Sequence, residues 1–251
     1  MRGGLITTPP AFPNFSITGP QGTLGPLQQP AISLTLAAPY SLAVTGVLTM
    51  TVVPDGFSAD PSIQFATGGK TVAFTIPANT TAAVFANGGT SIRLQTGSTS
   101  GSIALTATFQ TASGVALTTP ASENLQLVVP AAAPLLIGAQ VSAQSATGLT
   151  LAISGVSNSQ TLTQLAFSFT PASGYNVNGA SVTVSVGSVA SAWFASTAAQ
   201  TFGGQFVATL PFSFSNGSST STATLTGAVN SVSITATNAQ GTSAPLVVPL
   251  P

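Results

Sequence analysis

The sequence predicts an all-β protein built as two antiparallel β-sandwiches in tandem, and three observations carry that expectation. Apolar residues recur with a period of two through most of the chain, the spacing of half-buried strands. Gly, Pro and Asn punctuate these runs at short intervals, as turns do. The stretch Leu125 to Ile137 reads as strand, a linker bounded by Pro130 and Pro134, and strand again. The chain closes on Pro245-Leu246-Val247-Val248-Pro249, an echo of Leu127-Val128-Val129-Pro130. Domains usually run to about 100–150 residues, so a chain of 251 residues divides into two. The expected boundaries are an extended arm over 1–29, a first sandwich over 30–130 and a second over 131–251.

Taken in order, the arm holds Pro9, Pro10, Pro13, Pro20, Pro26 and Pro30 with Gly19, Gly22 and Gly25 between them. Proline removes a backbone donor and fixes φ, which excludes helix here. Only Phe12 to Thr18 can pair as a strand. From Ile32 the alternation begins: Ile32, Leu34 and Leu36; Leu48, Met50 and Val52; Val72, Phe74 and Ile76; Ile103, Leu105, Ala107 and Phe109; Leu125, Leu127 and Val129. Beyond the linker it resumes at Leu149, Leu151 and Ile153, at Leu165, Phe167 and Phe169, at Val182, Val184 and Val186, and from Phe206 to Phe214. One segment departs from it. Ser191 to Gln200 is Ala-rich, with Ser191 as an N-cap and Gly203 beyond its end, and predicts a short helix joining two strands. Trp193, the only tryptophan, is either a ligand platform or a plug over one end of the sandwich, and the plug is the expectation.

Composition narrows the function. Ordinary domains carry about a quarter charged residues; this chain has 2%, with no His and no Cys. All six charges, Arg2, Asp55, Asp60, Lys70, Arg93 and Glu123, precede the linker. A surface without Lys and Arg offers phosphate backbones no attraction, which argues against a nucleic-acid partner. No apolar run reaches the 18 to 20 residues of a membrane span, and residues 1–8 carry no apolar signal-peptide core. Catalysis needs groups that attack or move protons, and one Lys with three carboxylates furnishes few. No enzymatic activity and no cofactor is expected.

The last hairpin, Ser231 to Val248, resembles the closing hairpin of bacterial immunoglobulin-like domains, modules that recur in secreted and cell-surface proteins. Phe74-Thr75-Ile76-Pro77-Ala78-Asn79-Thr80-Thr81-Ala82-Ala83-Val84-Phe85 is similar to a segment common in such tandem modules. The resemblance implies two immunoglobulin-like sandwiches and a spacer, adhesive or matrix role outside the cytoplasm. It supplies no catalytic residues.

Several residues invite a sharper reading. Asp55 and Asp60 flank a loop and could serve as calcium ligands or as a glycosidase pair; ordinary turn chemistry beside Pro54 and Pro61 explains them more simply. Lys70 and Arg93 are expected to pair across strands with Glu123 or the aspartates, which contributes little when exposed. Thr106 to Thr108 and Thr235 to Thr237 lack the fixed repeat of an ice-binding face. Asn14, Asn79 and Asn216 each open an Asn-x-Ser/Thr triplet, a pattern that a Ser/Thr-rich chain also produces by chance.

Two functional classes remain. The first is a structural subunit of an extracellular filament, sheath or surface layer, a homopolymer or a neighbour of other immunoglobulin-like domains. It would assemble through sheet edges that lack protective charges and through the arm, with Phe12, Phe15 and Ile17 docking as a strand on a neighbour. The alternative for Phe12 to Thr18 is the first strand of its own domain. The second class is an adhesin-like or carbohydrate-binding module with a glycan as partner.

Overall fold

A computed structural model describes residues 8–120, 124–215 and 225–250. The chain forms two compact units. The first comprises Met1–Pro54, Ser62–Gly97 and Gly101–Pro130, and the second comprises Ala131–Pro251 together with two short loops, Asp55–Pro61 and Ser98–Ser100. The loops break the simple division at the linker that the sequence suggests.

The first unit contains β1 (Phe15–Thr18), β2 (Ala31–Leu36), β3 (Val44–Pro54), β4 (Gln64–Phe65), β5 (Thr71–Ile76), β6 (Val84–Phe85), β7 (Ser91–Gln95), β8 (Gly101–Thr111), β9 (Ala116–Leu117) and β10 (Asn124–Val129). One sheet runs β1-β2-β7-β4 and the other β10-β8-β3-β5-β6, with β9 also on β8. Alternation becomes burial directly: Ile32, Leu34 and Leu36 of β2 face Leu48 and Met50 of β3 and Ile103 and Leu105 of β8 across one core. Each such side chain contributes about 1.5–3 kcal/mol when fully buried.

The second unit contains β11 (Leu135–Ser145), β12 (Gly148–Val156), β13 (Gln164–Pro171), β14 (Ser181–Ser185), helix α1 (Gly187–Phe194), β15 (Gln205–Ser213), β16 (Val229–Asn238), β17 (Gly241–Thr242) and β18 (Leu246–Pro249). Its sheets run β11-β12-β15 and β14-β13-β16, with β17 and β18 both on β16. Taking the principal strands of each unit in sequence, the first, second and fifth form one sheet; the fourth, third, sixth and seventh form the other. Both units thus share one immunoglobulin-like strand order. The echo between residues 127–130 and 246–249 is the seventh strand of each, β10 and β18.

The arm is not an unpartnered connector, which corrects the expectation for Phe12, Phe15 and Ile17. All three are buried in the first unit's own core, and β1 pairs with β2 from Phe15↔Leu36 to Thr18↔Ser33. The Phe12 and Phe15 rings each lie 4.8 Å from the Phe109 ring, and Tyr40 donates its hydroxyl to the Pro10 carbonyl at 2.8 Å. Burial raises the Tyr40 phenol pKa above its ordinary value, so the donor stays protonated. Farther along, Leu24 donates to the Val128 carbonyl at 2.9 Å and Leu27 to that of Gly97 at 2.7 Å.

Several edges are blunted without charge, while the long edge of β15 stays open among the described residues. Edge strands can be blunted by shortness, bulges or proline as well as by lysine. Here β4, β6 and β9 have two residues each; β11 carries two register shifts, between Leu136 and Gly138 and between Val141 and Ala143; β15 contains Pro211 and no described strand lies on its far side.

Helix α1 starts five residues upstream of its expected position, cap to cap. Val186 occupies the N-cap position and Ser191 lies inside the helix, where its carbonyl accepts from Ala195 at 3.0 Å. A helix of two turns has one inward stripe, and Ala190 and Phe194 take it. Phe194, fully buried, is therefore the plug expected of Trp193, which sits beside the stripe and stays 36% exposed.

Because the arm completes the core, deleting residues 1–18 removes three buried apolar side chains, worth on the order of 5 kcal/mol or more. That approaches the whole stability of a typical domain. The expected result is loss of the first unit's cooperative transition in differential scanning calorimetry, with the second unit's transition kept by its own core but lowered, because the loops carrying Asp60 and Ser98 are interleaved with first-unit segments.

Candidate functional site

The site that this chain builds lies in the second unit, where helix α1 returns to β15. The turn passes through a 3₁₀ segment, Ala199–Thr201, then Phe202, Gly203 and Gly204. Gly203 has φ +62, and a Cβ there would lie 2.6 Å from Ser98 Oγ and 2.7 Å from Asp60 Cβ. A Cβ on Gly204 would lie 2.3 Å from the Ser98 carbonyl oxygen and 2.8 Å from that of Ser157. Only glycines allow this approach.

What the glycines admit is a clamp on a buried carboxylate. Asp60 is 2% exposed, and its Oδ2 accepts from the Ser98 backbone N–H at 2.6 Å and from the Ser98 hydroxyl at 2.5 Å. Ser98 Oγ in turn accepts from the Gly204 N–H at 3.0 Å, and the Asp60 N–H donates to Thr99 Oγ1 at 3.2 Å. Charge-assisted bonds of this kind are the short, strong ones. Gln160 completes the arrangement. Although not glycine it holds φ +54, and its side chain donates to the Gly203 carbonyl at 3.2 Å while accepting from the Ser58 N–H at 3.2 Å.

The clamp fixes the turn that carries Phe202, which lies beside Trp193 of helix α1. Phe202, half exposed, lies with its ring centroid 6.3 Å from that of Trp193 and its plane inclined by 25°. The indole Nε1 donates to the Gln205 carbonyl at 3.3 Å, which sets the ring's orientation. The two rings border a hollow of about 290 Å³, whose other walls and floor are Ile137, Ser154, Gly155, Gln205, Phe206 and Val207. No lining residue is ionisable. A second hollow over the same sheet, about 380 Å³, is lined by Gly138, Gln140, Ala152, Ser154 and Val207 among others. A larger one of about 610 Å³ lies on the first unit's β3, β5 and β8, but it offers no exposed aromatic ring.

The residues singled out from sequence fall as follows. Asp55 is exposed and Asp60 is buried on Ser98, so the two do not face a common ligand, which corrects their reading as a pair. Among the described residues no group of three acidic, His or Cys side chains gathers to hold a metal. Lys70 Nζ donates to the Ile63 carbonyl and Arg93 to that of Gln29 at 3.2 Å; Glu123 lies outside the described residues. Asn14 and Asn79 are exposed, and Asn79 has φ +63. Asn216 lies outside the described residues. Sequence reasoning missed Phe202, Gln205 and Gln160, and the Gly203-Gly204 pair just before a strand was the signal available for them.

Neither a protein-family model nor a curated protein sequence matches the chain. Among solved structures, a segment of two fibronectin type III domains from chicken tenascin is similar at 12% identity, covering 95% of this chain and 98% of its own length, with a TM-score of 0.33. The FN1–FN3 domains of chicken CNTN1 are similar at 11% identity over 96% of this chain and 66% of theirs, with a TM-score of 0.26. The class 5 fimbriae chaperone CfaA is similar at 11% identity over 94% and 100%, with a TM-score of 0.32. These are loose superpositions, and the fold stands on the strand order and cores described above.

Replacing Asp60 with Ala strands the two Ser98 donors in a buried site, at a cost of about 1–3 kcal/mol. Asp60→Asn keeps an acceptor and is expected to cost less, while Asp55→Ala at an exposed position stays within about 0.5 kcal/mol. Trp193 fluorescence during urea unfolding, a probe confined to the second unit, measures all three.

Proposed function

We propose that this protein is a non-catalytic structural module of an extracellular assembly, a subunit of a filament, sheath or surface layer whose copies meet through uncharged side-chain faces. The observation that supports it is the outward face of the second unit. Ile137 and Val207 are exposed on the β11-β12-β15 sheet and Val247 on the other sheet, all on strands that carry no charged residue. Soluble monomers keep apolar patches small and their net charge away from zero. A surface of this composition suits permanent contact with other surfaces of the same kind, because no ion has to be desolvated when they meet. With the arm's Phe12, Phe15 and Ile17 buried in their own unit and most edges short or bulged, side-chain faces are the main means of association, beside the open edge of β15. The resemblance to bacterial immunoglobulin-like surface modules supports an extracellular setting. Among the described residues no helix is long and apolar enough to cross a membrane.

A second reading, a binding module, is favoured by one observation: Trp193 and Phe202 stand half exposed beside a hollow where a plugged sandwich end was expected.

Association through neutral faces does not weaken with salt, unlike ion pairing, which is screened by about 0.5 M. Sedimentation velocity is expected to show oligomers at low salt that persist or grow at high salt. A monomer under both conditions, or recovery of the protein mainly from the cytosolic fraction of its native host, would sink the proposal.

A further inference from the structure

We infer that the hollow beside Trp193 and Phe202 binds a neutral sugar ring of a glycan, an inference that rests on the binding-module reading. Four features of the site support that occupant over others. First, a pyranose presents a face of C–H groups that packs on an aromatic ring; here two stacked rings, inclined by 25° with centroids 6.3 Å apart, form an aromatic shelf at the border of the hollow. Second, the shelf is set before any ligand arrives. Trp193 is tied through Nε1 to the Gln205 carbonyl, and Phe202 precedes the Gly203-Gly204 turn held by Ser98 and Gln160. A site ordered in advance does not lose affinity to side-chain ordering on binding. Third, the amide of Gln205 and the hydroxyl of Ser154 lie among the lining residues. The amide supplies both a donor and acceptors, and the hydroxyl, which donates to the Gly138 carbonyl at 3.2 Å, keeps acceptor capacity for a sugar hydroxyl. Fourth, the lining has no charge to attract an anion or a cation. This favours a neutral hexose over a uronic acid, a phosphate or an amine.

Size agrees with a small occupant. The hollow, at about 290 Å³, falls just below the roughly 300–1,000 Å³ of small-ligand sites. That holds one ring-sized group and is too narrow for a helix. The adjoining hollow over Ser154 and Val207, about 380 Å³, continues the surface along the sheet, so a chain of sugars could extend past the first ring.

The test uses the chain's only tryptophan as its reporter. Cellohexaose, mannohexaose and chitohexaose are each titrated into the full chain, up to about 1 mM, while its fluorescence is followed. The inference expects a saturable change with at least one of the three. Because Trp193→Ala removes that reporter, its affinity is read by isothermal titration calorimetry beside the wild type. A loss of about tenfold or more is expected in Trp193→Ala, with Trp193→Phe retaining part of the affinity and Gln205→Ala losing several-fold. An unchanged affinity in Trp193→Ala, or no response to any of the three sugars, overturns the inference. So does a fluorescence shift that follows protein concentration without sugar, which would mean that a second copy covers the shelf. Urea unfolding followed by circular dichroism checks that each variant is folded. In parallel, wild type and Trp193→Ala are pulled down on isolated envelopes of the native host. If both are retained, the binding module stands and the sugar site fails; if neither is, the binding-module reading itself fails.

Discussion

The second unit depends on a buried carboxylate. Asp60 is 2% exposed, and its Oδ2 accepts two bonds from Ser98, at 2.5 and 2.6 Å. Burying a carboxylate is costly unless its hydrogen bonds are made, and here the donors come from a loop that also contacts Gly204. The loop, the glycine turn and the aromatic shelf are consequently one cooperative arrangement. Neither glycine can carry a side chain without displacing the loops around Asp60 and Ser98.

Elsewhere neutral groups do what charges do in other proteins. Ala132, just past the linker proline, has both backbone groups held: Asn158 Oδ1 accepts its N–H at 2.9 Å, and Asn238 Nδ2 donates to its carbonyl at 2.9 Å. Asn238 is buried and also reaches the Ser157 and Ser159 hydroxyls. In the first unit Thr96 Oγ1, fully buried, donates to Gly25 and accepts from Gln28. Amides and hydroxyls of this kind satisfy buried backbone groups without adding charge to the surface. A chain with 2% charged residues can therefore hold ordered loops while keeping its outward faces neutral.

Most strands were legible because alternation is local: β2, β5 and β12 bury every second residue and β3, β8 and β13 do so over most of their length, while β16 was read from the resemblance of its hairpin. Strand β7 was not, since Ile92 and Leu94 alone give too short a pattern around Arg93. The helix was visible as a change of period. Its start was misplaced because Ser191 offers a cap that the chain does not use, and with it the roles of Trp193 and Phe194 were exchanged. The Asp60 clamp was out of reach for a different reason. Asp60 and Ser98 are 38 residues apart, and Ser98 and Gly204 106 apart, with no periodicity or motif connecting them. Such contacts follow from strand order, which a single sequence only suggests.

Amide hydrogen exchange at Ser98 and Gly204 tests the clamp most directly. If the buried carboxylate orders the turn, both amides exchange only through opening of the whole second unit, at rates close to those of the central strand β12. Exchange at those two amides as fast as in an exposed turn, with β12 still protected, would contradict the account.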